Sequence, residues 1–235
     1  MIIEFADNQG NAQALDLENI GNKAFNVDCM NVLKKLPDKC FDLAIVDPPY
    51  GDALDDEERG GGKSAVGRTG GAWASKYGKK IIAWDIAPGK EYFDELFRVS
   101  RNQIIWGGNY FSLPPTRCFL VWRKLTISEN FSMAMCEYAW TSFHENAKLF
   151  ECAPQGTAAH PRIHPTQKPV RLYSWILRNY AKTGDKILDT HLGSGSSRIA
   201  AYEMGFDFTG FELDEGYFNA EEKRFNEYLQ QPKLL

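Results

Sequence analysis

Four residues, Asp47-Pro48-Pro49-Tyr50, combine a carboxylate, two consecutive prolines and an aromatic ring directly after the apolar run at 41–46. The prolines hold the backbone extended and remove two N–H donors, which leaves outward-facing carbonyls as acceptors. A planar base bearing an exocyclic amine fits that set. Tyr50 stacks on the ring, while Asp47 and the Pro48 carbonyl accept the two amine hydrogens.

A second cluster, Asp189-Thr190-His191-Leu192-Gly193-Ser194-Gly195-Ser196-Ser197, follows another apolar run at 186–189. Glycines there let the backbone approach a ligand closely, and the amino terminus of a following helix offers free N–H groups. The third glycine of the dinucleotide fingerprint is absent, because Arg198 stands in its place. An acid, Glu212, ends the run at 208–212, roughly twenty residues on, where a ribose diol would be held. Loop and acid together point to an adenosine-containing cofactor. A Walker phosphate loop at Gly62-Lys63-Ser64 is excluded, since Glu57 occupies the first glycine position.

Such groups need elements to position them. The runs at 41–46 and 186–189 read as buried strands whose carboxyl ends open into loops, and further strands are expected at 80–84, 103–106, 118–122, 137–141 and 208–212. Helical patterns fall between them at 30–36, 90–99, 170–180, 197–204 and 215–228. This alternation predicts an α/β domain, doubly wound, with a mostly parallel sheet and helices on both faces. Two stretches break the rhythm. Residues 51–79, rich in glycine and charge, are expected to be a mobile loop. After its acidic start the basic residues Arg59, Lys63, Arg68, Lys76, Lys79 and Lys80 follow with no intervening acid. Residues 144–164, with Pro154, Gly156 and Pro161, are expected to be irregular.

The composition bounds the rest. With 235 residues, 43% hydrophobic and 25% charged, the chain fits one globular domain over 1–235. A net charge of -4 excludes a uniformly basic nucleic-acid binder but leaves room for a local basic patch. The first residues lack a basic leader, and no apolar run approaches the roughly 18 residues of a membrane span, so a cytoplasmic protein without a membrane partner is expected. Five scattered cysteines form no Cys-x-x-Cys pair, and the four histidines show no ligand spacing, so neither disulfides nor a metal are expected.

The chain resembles the S-adenosylmethionine-dependent amino methyltransferases of DNA, in the subgroup whose Asp-Pro-Pro-Tyr motif precedes the cofactor glycine loop. The resemblance rests on the order of several short motifs: Asn26-Val27-Asp28-Cys29, Asp47 to Tyr50, Ile105-Trp106-Gly107-Gly108-Asn109-Tyr110, Phe119-Leu120-Val121-Trp122, His164-Pro165-Thr166-Gln167-Lys168-Pro169, Asp189 to Ser197, and Glu212. It implies a Rossmann-like methyltransferase sheet with one antiparallel strand, and S-adenosylmethionine as cofactor. By the resemblance Asp28 would meet the adenine amine, Glu212 the ribose, and Gly193, Ser194 and Gly195 the methionine portion. Thr166 and Lys168, with Gln167 between them, would lie near its carboxylate. Asp189, His191 and Ser196 complete the cofactor loop, and Asp47, Pro48, Pro49 and Tyr50 would be catalytic. His191 and Ser196-Ser197 depart from the phenylalanine and paired threonines usual in the family.

The implied reaction is methylation of adenine N6 in duplex DNA, because a leading Asp favours adenine; cytosine N4, or a catalytically silent DNA-binding subunit, is the alternative. Double-stranded DNA is the implied partner, with 51–79 as a candidate clamp and 141–164 as a short candidate target-recognition insert. A second copy of the chain is a further candidate partner, and a bacterial, phage or prophage source is expected.

Overall fold

The computed structural model describes residues 1–51, 86–130, 134–154 and 162–231. The candidate clamp residues Arg59, Lys63, Arg68, Lys76, Lys79 and Lys80, and the strand expected at 80–84, lie outside the described residues.

Ten strands and five α-helices are described: β1 Ile2–Ala6, β2 Ala12–Asp16, β3 Asn22–Asn26, α1 Cys29–Leu33, β4 Phe41–Val46, α2 Lys90–Val99, β5 Ser100–Trp106, β6 Phe119–Lys124, β7 Cys136–Thr141, β8 Lys148–Cys152, α3 Val170–Tyr180, β9 Lys186–Asp189, α4 Ser196–Glu203, β10 Asp207–Glu212 and α5 Glu215–Leu229. Strands β1 and β2 pair as a separate antiparallel hairpin. The other eight form one sheet in the order β3-β10-β9-β4-β5-β7-β6-β8. Strand β7 is antiparallel to both of its neighbours, β5 and β6, and every other pairing in that sheet is parallel. This is the mostly parallel sheet with one reversed strand.

The central strands are apolar on both sides because both faces are covered. In β4, Ala44 and Val46 enter one core with α1, α2 and the hairpin, while Leu43 and Ile45 enter the opposite core with α3 and α4. Helix α2 turns Tyr92, Phe93, Leu96 and Val99 inward, and α3 turns Leu172, Tyr173, Ile176, Leu177 and Tyr180 inward, the spacing of one helical face.

Two expectations need correction. The stretch 144–164 is not irregular throughout: β8 lies within it and pairs in parallel with β6 at the sheet edge. Its alternating burial leaves Leu149 exposed, so no continuous apolar run announces the strand. The N-terminal hairpin and β3 were also not anticipated. Their strands are five residues each and largely part-exposed, too short for a strong periodic signal.

The topology decides where a ligand can enter. From β4 the chain winds outward to β5, and from β9 it winds the opposite way to β10, so neighbouring β4 and β9 mark the point where the winding reverses. In open α/β sheets a crevice forms there, beyond the carboxyl ends of the strands.

Candidate active site

Both chemical clusters leave the sheet at that crevice: Asp47 directly follows β4, and Asp189 ends β9. A cavity of about 630 Å³ opens between them. Its lining brings together Asp28, Asp47, Pro48, Pro49, Tyr50, Thr166, Gln167, Lys168, His191, Gly193, Ser194 and Glu212, residues drawn from five separate stretches of chain. The remaining candidates, Asp189, Gly195 and Ser196, stand behind the lining.

Asp47 is held at both oxygens. The Tyr50 hydroxyl donates to Oδ1 at 2.7 Å, and the Lys168 ammonium donates to Oδ2. Lys168, which the sequence placed near a cofactor carboxylate, thus has its charge on Asp47. It also donates to Glu137 Oε2 at 3.0 Å and lies 5.1 Å above the Trp106 ring. Glu137 in turn binds Lys124 through Oε1 at 2.6 Å. Burial raises the Asp47 carboxyl above its ordinary value; Lys168 opposes that shift and the Glu137 charge adds to it. Burial also works against the Glu137 carboxylate, yet Lys168 and Lys124 hold it below the usual range. For Lys168, burial disfavours the ammonium, but the two carboxylates keep it charged.

Tyr50 stacks on Tyr110 with ring centroids 4.7 Å apart and planes within 9°. The close approach depends on Gly107, whose φ of 65° is left-handed and whose missing Cβ would sit 2.1 Å from Tyr50 Cε1.

The opposite wall is built from backbone donors and acids. Glu212 accepts from the Gly193 N–H at 2.8 Å through Oε2 and from the Asp214 N–H at 2.9 Å through Oε1. Each oxygen keeps a further acceptor position, so the carboxylate can also receive a diol. Asp28 caps α1 by accepting from the Met30 N–H at 2.9 Å through Oδ1, and Oδ2 remains to accept from an amine. Asp189 accepts from the Ser197 hydroxyl at 2.6 Å and the His191 N–H at 3.1 Å, and burial pushes its carboxyl up to about 7. His191 packs edge-on against Tyr92, with centroids 5.3 Å apart, and shares a hydrogen bond with Thr190; burial lowers its ring to about 4. Behind the loop, Arg224 donates to the Ser194 carbonyl and the Ser196 hydroxyl, while a Cβ on Gly195 would meet Glu221 Oε1 at 2.3 Å.

Several of these residues carried no role in the sequence reading: Glu137, Lys124, Tyr110, Gly107, Tyr92 and Arg224. Glu137 left a trace, as the one acid inside the otherwise uncharged run 136–141. Tyr110 and Gly107 lie within a motif that had order but no assigned chemistry.

A doubly wound sheet, an acid-flanked glycine loop and a carboxylate facing it across one cavity define a methyltransferase-like α/β protein. The family described as DNA methylase matches residues 121–223. The chain is 25% identical to YubD of Escherichia coli (strain K12), which is named a methylase, over 84% of this chain and 87% of that one. It is 39% identical to the type II methyltransferase M2.DpnII of Streptococcus pneumoniae over 26% of this chain and 23% of that protein. Among solved structures, the M1.HpyAVI complex with SAM matches with a TM-score of 0.53 and 18% identity, covering 87% of this chain and 98% of that one. The PvuII cytosine-N4-specific DNA methyltransferase matches with a TM-score of 0.56 and 12% identity, over 87% and 86%. These structural likenesses establish the fold. Over residues 121–223 the chain is similar to the DNA methylase family, the same direction in which the ordered motifs point.

Proposed function

We propose that this protein transfers a methyl group from S-adenosylmethionine to the N6 amine of an adenine flipped out of duplex DNA. The observation that carries the reading is the Asp47 carboxylate, ordered by Tyr50 and Lys168 and facing the Gly193 and Glu212 wall in one cavity. The donor set fits the cofactor: Glu212 has acceptor positions for ribose hydroxyls, and Asp28 has one for the adenine amine. The glycine loop lets backbone N–H groups approach the remainder. A cavity of about 630 Å³ lies within the range of small-ligand sites. When bound, the cofactor supplies an electrophilic methyl carbon.

The protein's own part is positioning and charge. Tyr50 offers a ring face for the flipped base, while Asp47 and the Pro48 carbonyl accept the amine hydrogens. Those bonds draw the amine lone pair out of conjugation and stabilise the positive charge that develops on nitrogen. Holding donor carbon and acceptor nitrogen in line accounts for roughly 7 to 11 kcal/mol of such a barrier. Flipping the nucleotide costs a few kcal/mol, offset by phosphate contacts. Those contacts are assigned to Arg59, Lys63, Arg68, Lys76, Lys79 and Lys80, and the stretch 141–164 is assigned to target recognition. Adenine is favoured by the leading Asp of the motif.

The test is incorporation of labelled methyl groups into unmethylated genomic DNA, read by nucleoside mass spectrometry, with Asp47→Ala alongside. N6-methyladenine that vanishes in the variant is the expected result. N4-methylcytosine instead overturns the choice of base. No product, with the cofactor bound, overturns the reaction and leaves a silent DNA-binding subunit.

A further inference from the structure

Glu137 is a further carboxylate in the cavity wall, and the reaction as proposed does not use it. It projects from β7, the one reversed strand, and belongs to a buried chain of charges: Lys124 to Glu137 at 2.6 Å, Glu137 to Lys168 at 3.0 Å, and Lys168 to Asp47. Lys168 is 1% exposed and Lys124 7%, so solvent supplies neither with a counter-charge. Two cations and two anions cancel. A buried ammonium without a partner is strongly disfavoured, so Lys168 must remain bound to some carboxylate throughout the reaction.

That requirement conflicts with the work of Asp47. A carboxylate neutralised by an ammonium is a weaker acceptor for an amine hydrogen, and one that takes up a proton can no longer balance Lys168. Glu137 resolves the conflict by being a second anion within reach of the same ammonium. We propose that Glu137 is the positioning residue of methyl transfer: it takes over the Lys168 charge as Asp47 receives the amine proton. The inference rests on the methyl-transfer reading above.

The step balances. The carbon–sulfur bond breaks with its electron pair staying on sulfur, and the amine lone pair forms the new carbon–nitrogen bond. The nitrogen, now positively charged, releases one proton to Asp47, which becomes a neutral carboxylic acid. Lys168 stays protonated against Glu137, and Lys124 keeps its own contact with Glu137. Asp47 returns its proton to water when the product leaves.

The test is Glu137→Gln, which keeps the shape and an acceptor oxygen but removes the charge. Among the described residues, the charged and titratable groups around the two carboxylates and their shared ammonium are Lys168, Lys124, Tyr50, Tyr173, Asp189 and His164. All remain in the variant. With Glu137 neutral, Lys168 rests on Asp47 alone, and the like charge that raised the Asp47 carboxyl is gone. The acid limb of the kcat profile is expected to move down by about one pH unit, and kcat at neutral pH to fall about tenfold or more. KM for cofactor and for DNA should hold, and Glu137→Asp should recover part of kcat. A carbon-13 titration of the Asp47 carboxyl reads the same downward shift without turnover.

An acid limb and an Asp47 titration that stay in place, with only stability or KM altered, overturn the proposal. A wild-type protein that methylates no DNA overturns the reaction reading itself. In that case a carbon-13 shift in the variant would still show the two carboxylates to be coupled, so the two failures are distinguishable.

Discussion

At the scale of single residues, the site depends on what is missing as much as on what is present. Gly107 makes room for the Tyr50 ring, and its φ of 65° lies in a region that side chains rarely adopt. Gly107→Ala should therefore push Tyr50 off Tyr110 and away from Asp47. Methylation is expected to fall at least tenfold, with cofactor affinity unchanged by calorimetry, because the cofactor wall is built from other stretches of chain. Gly184→Ala is the matched control. Its φ of 89° is equally unfavourable, yet a Cβ there meets nothing within 4 Å. It should lose about 1 to 3 kcal/mol of stability from backbone strain alone and keep its turnover. Equal losses of turnover in both variants would remove the special role of Gly107.

At the scale of elements, the glycine loop is backed by α4 and α5, which are tied to each other behind it. Arg198 on α4 donates to Glu221 at 2.9 Å, to Glu222 at 2.5 Å and to Asn22 of β3 at 2.9 Å, and its guanidinium lies 4.0 Å above the Phe225 ring. The position that lacks the dinucleotide fingerprint's third glycine thus holds a residue that locks helix, helix and strand together. Arg198→Ala leaves Glu221 buried without its main partner, and about 3 to 5 kcal/mol of stability should be lost in chemical denaturation. Retained stability would mean that Glu221 simply takes up a proton, which its burial-raised pKa of about 7 brings within reach. Helices such as α2 and α3 were legible from sequence because one face repeats every three to four residues. So were β4 and β9, as apolar runs opening into loops. The hairpin and β8 were not, since strands half open to solvent carry no continuous apolar signal. For the site, the motif residues were legible because their chemistry is local: an acid beside prolines and a ring, or glycines before a helix. Glu137 was not, because its meaning comes from Lys168, 31 positions later, and from a strand order that no local pattern encodes.

At the scale of the whole molecule, the buried titratable groups set how stability responds to pH, and they oppose one another. His164 and His191 are held near 3 and 4 by burial, so below about 6.5 the unfolded chain binds protons that the folded one refuses. Each histidine therefore costs stability as the pH falls through that window. Asp189 and Glu221, raised to about 7 by burial, do the reverse. Between their ordinary values and 7 the folded state holds protons that the unfolded state releases, so they favour folding as the pH falls. His191→Phe separates the two effects. The ring it introduces is the one usual at this position in the family that the motifs resemble. Thr190 keeps its 2.6 Å hydrogen bond to Tyr92 in the variant. Relative to wild type, the variant should gain about 1.4 kcal/mol per pH unit as the pH is lowered from 6.5 to 4, and nothing above 7. Urea denaturation at half-unit steps of pH checks this. A stability difference that stays level across the window would mean that His191 takes up its proton as readily in the folded protein as in the unfolded chain, and the buried packing of its ring against Tyr92 would have to be abandoned.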